Sequence, residues 1–276
     1  MERMPKSVPF WQIDAFSVGP FTGNPAAVCL FEAEPEAALM HKIAMEMNLS
    51  ETAFIWRLAD GAAPRYGLRW FTPTVEVPLC GHATLASSAA LFNELGLEAD
   101  RLEFTTKSGT LTARRRGAGI EIDLPEHPAA KFKPPPALLA ALGLKKIKEC
   151  VRGRHGENLL LRIEDESELR GLAPRFDRLK KVSADAFGGV IVTARGAAPY
   201  DFISRYFCPW CGINEDPVTG SAHSMLAPYW AKHLRKKEFF AFQASARGGE
   251  LRVRYKGSRV LLTGAAVTVL SGELRI

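Results

Sequence analysis

Short runs of apolar, β-branched and aromatic residues recur along the chain, bounded by glycine, proline and polar turn residues. In the first half they are AAVCLF, TAFIW, GLRWF, LEFTT and TLTARR; in the second, NLLLRI, GGVIVTA, DFISRYF, FFAFQAS and ELRVRY. Their length and composition predict strands. Two longer stretches break this rhythm. HATLASSAALFNEL, after Gly81, has no full charge before Glu94, and the stretch after Gly220 has none before Lys232. A helix that is apolar all round is a buried helix. Strands surrounding such helices imply a sheet rolled about each of them. Pro228, inside the second stretch, predicts a kink or an early turn. PEAALMHKIAMEMN reads differently: Leu39, Ile43 and Met47 at i, i+4 and i+8 predict an amphipathic covering helix, with Asn48 suited to end it.

The two halves resemble each other. RWFTPTVEVPLCGHATLASSAAL begins at Arg69 and RYFCPWCGINEDPVTGSAHSMLAPYW at Arg205. Each opens Arg-aromatic-Phe-x-Pro and runs through an irregular loop to the glycine that starts the uncharged helix. Downstream, Phe104 answers Phe242, Leu111 answers Leu251 and Arg114 answers Arg254, at lags of 138, 140 and 140 residues. The chain therefore reads as two copies of one unit, with a boundary near Gly117 to Gly119. RVLLTGAAVTVL has no partner in the first copy, so the tail is expected to return and complete the first unit. The predicted domains are 1–118 plus 262–276, and 119–261. KPPPALLAALG reads as a linker followed by a short helix.

Composition narrows the class. The 276 residues are 47% hydrophobic and 24% charged, ordinary for one large or two ordinary globular domains. No run of 18 apolar residues occurs, so no membrane span is expected. The start, MERMPKSVPFWQIDAF, lacks a secretory pattern. Five cysteines without disulfide-dense spacing suit a reducing cytosol, and a cytoplasmic location is expected. The net charge of +6 attracts anions. Its densest clusters are Arg114, Arg115 and Arg116, read as a hairpin tip, and Lys232, Arg235, Lys236 and Lys237, read as a helix end. No RNA-binding aromatic motif or finger spacing accompanies them, so nucleic acid is not an expected partner.

Candidate chemistry clusters at the helix starts. In NEDPVTGSAHS, Asp216 and Ser221 precede or open the second helix, while His82 opens the first. Helix N-termini offer unpaired N–H groups and partial positive charge, which suit an anion. Equivalent helices in two domains that face each other would bring both N-termini to one cleft holding a small acid. Glu51, in MNLSETAFIW, stands where a helix gives way to a strand. A partly buried carboxylate there has its pKa raised towards neutrality, as a proton shuttle requires. Each residue also has a structural reading: Asp216 as a turn residue, Ser221 as a helix start, His82 as a structural histidine, Asn24 as a turn asparagine before proline. Glu215 reads as a neighbouring solvated acid. CPWC, Cys208 to Cys211, imitates a redox motif, but a strand precedes it and GINEDP follows. Neither redox nor zinc chemistry is expected of it.

DAFSVGPFTGNPAAV, IAMEMNLSETAF, FTPTVEVPLCGHATL and NEDPVTGSAH, taken together, resemble the phenazine-biosynthesis (PhzF-like) isomerase family within the diaminopimelate epimerase fold. The resemblance implies an α+β protein of two pseudo-symmetric domains, each a rolled β-sheet around a central helix, with the active site between them. It implies no metal and no organic cofactor, and often a homodimer. It assigns catalysis to Glu51 as general acid/base, with His82, Asp216 and Ser221 as partners; Gly81, Gly220 and Asn24 are expected to bind substrate. The epimerase branch uses two opposed cysteines. Cys80 matches the first, and the second is placed at Pro217, so a two-base racemase is disfavoured. The expected activity is isomerisation of a small unsaturated or keto carboxylic acid by one shuttling carboxylate. The alternative is a non-catalytic relative that binds a small anion or a protein.

Overall fold

The computed structural model describes residues 7–58, 63–154, 158–182 and 187–276; residues 1–6, the start of the stretch read above for a leader, lie outside them. The elements are β1 (Ser7–Ala15), β2 (Asn24–Phe31), α1 (Ala37–Met47), β3 (Glu51–Arg57), β4 (Arg65–Phe71), β5 (Glu76–Val77), α2 (Gly81–Ala89), β6 (Arg101–Thr106), β7 (Gly109–Arg116) and β8 (Gly119–Pro125). There follow β9 (Ala129–Lys131), α3 (Pro136–Leu142), β10 (Glu149–Gly153), β11 (Asn158–Arg162), α4 (Glu166–Arg170), α5 (Phe176–Leu179), β12 (Gly189–Arg195), β13 (Phe202–Cys208) and β14 (Ile213–Asp216). The chain closes with α6 (Gly220–Leu234), β15 (Glu238–Gln243), β16 (Gly249–Tyr255), β17 (Arg259–Gly264) and β18 (Ala266–Arg275). Contacts divide the chain into Met1–Asp123 with Thr263–Ile276, and Leu124–Leu262. The divisions fall inside β8 and β17.

In the first unit the strands run β18–β1–β2–β3–β4–β6–β7–β8, with β2–β3 and β4–β6 parallel and the other pairs antiparallel. Helix α2 touches β1, β2 and β3 as well as β7 and β18, strands from both ends of that order. Only a rolled sheet allows this. All nine α2 residues are buried. Their hydroxyls are satisfied without water: Thr84, Ser87 and Ser88 donate to the carbonyls of Cys80, Ala83 and Thr84 at 2.5, 2.7 and 2.8 Å. The helix continues through a π turn at Ala90–Glu94. α1 covers the outside of the sheet, burying Met40, Ile43 and Ala44 against Phe31, Phe54 and Phe71, with Leu39 and Met47 partly buried beside them. It ends at Asn48, whose left-handed backbone (φ 50°) turns its N–H to the Ala44 carbonyl.

The second unit repeats this pairing. Its order is β9–β10–β11–β12–β13–β15–β16, with β11–β12 and β13–β15 parallel and the rest antiparallel. The run β10 to β16 thus matches β1 to β7 pair for pair, and α6 takes the place of α2. Pro228 neither ends α6 nor marks its first turn; the helix runs through it. Proline cannot donate to the carbonyl four residues earlier, which belongs to Ser224. That carbonyl accepts the His127 N–H at 3.0 Å instead. The arginine cluster also differs from expectation. Arg114, Arg115 and Arg116 are the end of β7, paired with Glu121, Ile120 and Gly119, and the tip lies beyond them. Arg115 lies over the Phe92 ring at 4.4 Å and donates to the Phe92 carbonyl at 2.7 Å. Among the described residues, no helix is long and apolar enough to cross a membrane.

Candidate active site

In the first unit, three elements deliver side chains to one point. Asn24 is the first residue of β2, Glu51 the first of β3, and His82 the second of α2. β2 and β3 run parallel with Ala26 opposite Glu51, which puts both strand starts at the same edge. Gly23 makes that start possible. Its φ is +71°, and a Cβ there would meet the Ala15 carbonyl oxygen at 2.3 Å.

The side chains form a chain of contacts. Ser50 Oγ donates to Asn24 Oδ1 at 3.3 Å. Asn24 Nδ2 donates to His82 Nδ1 at 3.1 Å. His82 Nε2 lies 3.3 Å from Glu51 Oε2. Because the Asn24 amide can only donate from Nδ2, His82 Nδ1 is an acceptor, which assigns the ring proton to Nε2, facing Glu51. Burial pushes His82 down from 6.5 to about 3. The ring is therefore neutral near pH 7 and lies beside the carboxylate without adding a charge to it. Asn24 is fully buried and His82 nearly so, while the Glu51 side chain keeps 18% of its surface in solvent. Glu51 Oε2 lies against the ring, and part of the side chain stays in solvent.

Cys80 precedes α2, with Sγ 3.5 Å from His82 Nδ1. Among the described residues, one ligand atom each of Glu51, Cys80 and His82 lie within 4.8 Å of one another. This carboxylate–thiol–imidazole set has the donors a thiophilic divalent cation takes.

In the second unit, Asp216 is the buried last residue of β14. Thr219 Oγ1 donates to Asp216 Oδ2. Gln243, fully buried on β15, clamps this turn: Nε2 donates to the Asp216 carbonyl at 2.8 Å and to Thr219 Oγ1 at 3.1 Å, and Oε1 accepts the Thr219 N–H at 2.9 Å. Gly220 and Ser221 are the first two residues of α6, as Gly81 and His82 are of α2. Ser221 is half-buried. This register moves one assignment. The residue before Gly220, matching Cys80 before Gly81, is Thr219 and not Pro217. Its hydroxyl is committed to Asp216, so no second thiol stands there.

The sequence reading passed over Ser50, Thr219, Gln243 and two arginine clamps. Arg69 on β4 donates from Nε and Nη2 to both oxygens of Glu76 on β5, each at 2.8 Å. Arg205 on β13 does the same to Glu215 on β14, each at 2.7 Å. Glu215 is thus a partner in a bidentate pair, correcting its reading as a solvated acid. In each unit the clamp fixes the segment leading to the helix start. The hydrogen bonds from Arg69 hold the Glu76 carboxyl below its usual range. The repeat held the signal, since Arg69 and Arg205 open the two matching segments.

His223 is fully buried on α6 and donates from Nδ1 to the Thr219 carbonyl at 2.8 Å. Burial pushes it down from 6.5 to about 4. The unfolded chain takes up this proton below pH 6.5; the folded one does not until about 4. The stability it contributes is whole above 6.5 and is lost as pH falls towards 4. Melting curves at two pH values, one above 6.5 and one near 5, are expected to show a smaller drop for His223→Gln than for the parent. Equal drops would show that His223 carries none of this dependence.

Two rolled sheets of repeated pairing, each around a buried helix, with candidate site residues at both helix starts, define an α+β protein of the diaminopimelate epimerase-like class. A crystal structure of a hydroxyproline epimerase from Agrobacterium vitis has this fold, with a TM-score of 0.63 at 11% identity over 98% of this chain and 93% of that one. Residues 13–272 match the PhzC-PhzF family model, described as phenazine biosynthesis-like protein, and the chain belongs to that family. It is 46% identical to an uncharacterized isomerase of Halalkalibacterium halodurans over 97% of this chain and 98% of the relative. A PhzF family crystal structure from Enterococcus faecalis superimposes with a TM-score of 0.90, at 42% identity, covering 98% of this chain and 100% of that one.

Proposed function

We propose that this isomerase-family protein moves a proton on a small unsaturated or keto carboxylic acid, with Glu51 as the single acid/base. The observation that carries this reading is the Ser50–Asn24–His82–Glu51 chain of contacts, which ends on a partly exposed carboxylate side chain. In the proposed step the Glu51 carboxylate takes a proton from a carbon next to the unsaturated system. The electron pair left behind delocalises over the conjugated acid, and the protonated Glu51 returns the proton to a different carbon. Atoms and charge balance without a redox partner. Asp216 and Ser221 are proposed to act on the same substrate, as are the backbone N–H groups at Gly81 and Gly220; these suit its carboxylate.

The test is proton exchange. Candidate acids incubated with the protein in heavy water are expected to gain one deuterium at an isomerised carbon, read by mass. A panel of conjugated and keto acids that neither isomerises nor gains deuterium over the protein-free rate would leave the non-catalytic binding reading in its place.

Thr219 also supports a one-base route, because a two-thiol exchange needs a second cysteine opposite Cys80. Cys80→Ala is expected to keep turnover within a few-fold of the parent. Loss of exchange in a folded Cys80→Ala protein would favour a thiol base.

A further inference from the structure

The sequence context argued against a thiol function at CPWC, because the motif does not open a long helix. The structure shows a different construction. β13 and β14 form a hairpin whose register shifts between Phe207 and Cys208, and a single 3-10 turn, Pro209–Cys211, closes it before Gly212 (φ +95°). Residues i and i+3 of such a turn stand less than about 7 Å apart at their Cα atoms, which overlaps the roughly 4.4–6.8 Å that a disulfide spans. Cys208 is buried and Cys211 exposed; Cys211 Sγ donates to the Gly188 carbonyl at 3.5 Å, and Cys208 lies close enough to act on it. Trp210 between them pins the turn: its ring meets Phe187 edge-on at 5.2 Å, and its Nε1 donates to the Val182 carbonyl at 3.1 Å.

We propose that Cys211 and Cys208 form a redox-active dithiol that takes an oxidising equivalent from a hydroperoxide and closes to a disulfide. Cys211 is the attacking sulfur, being the exposed one. Its thiolate displaces the alcohol (or water) from the peroxide and becomes a sulfenic acid. The Cys208 thiol, three residues away in the same turn, attacks that sulfur, and water leaves. Overall two thiols and one hydroperoxide give one disulfide, one alcohol and one water; the thiols lose two electrons and the peroxide gains them. A small dithiol reverses the bond by exchange.

Reactivity follows thiolate content and access. The Cys208 hydrogen bond brings Cys211 down from 9.0 to about 7, against burial and the neighbouring Asp216 carboxylate, which both raise it. Burial pushes Cys29 and Cys150 up to about 12, so both remain thiols and serve as internal controls. Asp216 lies close enough to act on Cys211, so closing the disulfide removes a neighbouring negative charge from a proposed substrate-binding residue.

The experiment exposes the full-length reduced protein to hydrogen peroxide near neutral pH, then to iodoacetamide and dimedone, and maps peptides by mass. The expected result is a Cys208–Cys211 peptide lighter by two hydrogens, restored by dithiothreitol, with Cys29 and Cys150 unmodified. Cys211→Ser is expected to abolish the product and leave Cys208 a thiol; Cys208→Ser is expected to accumulate a dimedone adduct on Cys211. Trp210 emission in the reduced variants checks that the turn is intact. Full alkylation of both cysteines in peroxide-treated parent protein overturns the proposal, as does equal dimedone labelling of the parent and Cys208→Ser. Neither outcome depends on the role of Glu51.

Discussion

Glu51→Gln is expected to fold, melt near the parent temperature and bind ligand, yet to exchange protons at least about 100-fold more slowly, the scale of losing a general base. The amide nearly matches the carboxylate in size and can keep the place beside His82 Nε2 where Glu51 Oε2 lies at 3.3 Å. What it cannot do is accept and return a proton near neutral pH. Comparing Km with kcat separates the roles: the loss belongs in kcat. A folded Glu51→Gln protein that exchanges at the parent rate on a proven substrate would exclude Glu51 as the shuttle. Asn24→Ala serves as a companion, since it frees the tautomer of His82 without touching the carboxylate. Its loss is expected to be smaller.

The largest stability effect is expected at Phe202. This β13 residue is fully buried, stacks on Trp230 with ring centroids 5.7 Å apart and planes within 5°, and meets Phe239 edge-on at 5.7 Å. Phe202→Ala removes one wall of the packing between α6 and its sheet. The expected cost is about 3–5 kcal/mol, a fall in melting temperature on the order of 10 °C. A calorimetric scan measures it. A loss under about 1 kcal/mol would mean that α6 can settle into the space, contrary to the close aromatic packing.

Much of the fold was legible because its signals are local. Strand composition around residues 26–31, 52–56 and 102–106 is a property of short runs, and β2, β3 and β6 lie there. The repeat was legible because each copy must solve the same packing problem with similar residues at similar spacing. The site was legible only in part. Glu51, His82 and Asp216 stood out as ionisable groups at element ends. The partners that give them direction did not, because Ser50 and Gln243 are ordinary residues until the fold brings them into contact.

The sequence by itself determined that this chain makes two units, each a rolled sheet around a helix with a long charge-free start, because hydrophobic period and charge-free length are written along the chain. The tertiary structure alone decided the chemistry of the contacts. His82 meets Glu51 across 31 positions because parallel pairing of β2 and β3 sets both strand starts beside the α2 N-terminus. The buried Asn24 amide then chooses the tautomer of that histidine. Pro228 survives inside α6 because His127, from a distant segment, takes the carbonyl that proline leaves unpaired. Thr219, not Pro217, answers Cys80 because equivalence is settled by position at the helix start. Each of these depends on distance and direction between residues far apart in sequence, quantities that no local pattern encodes.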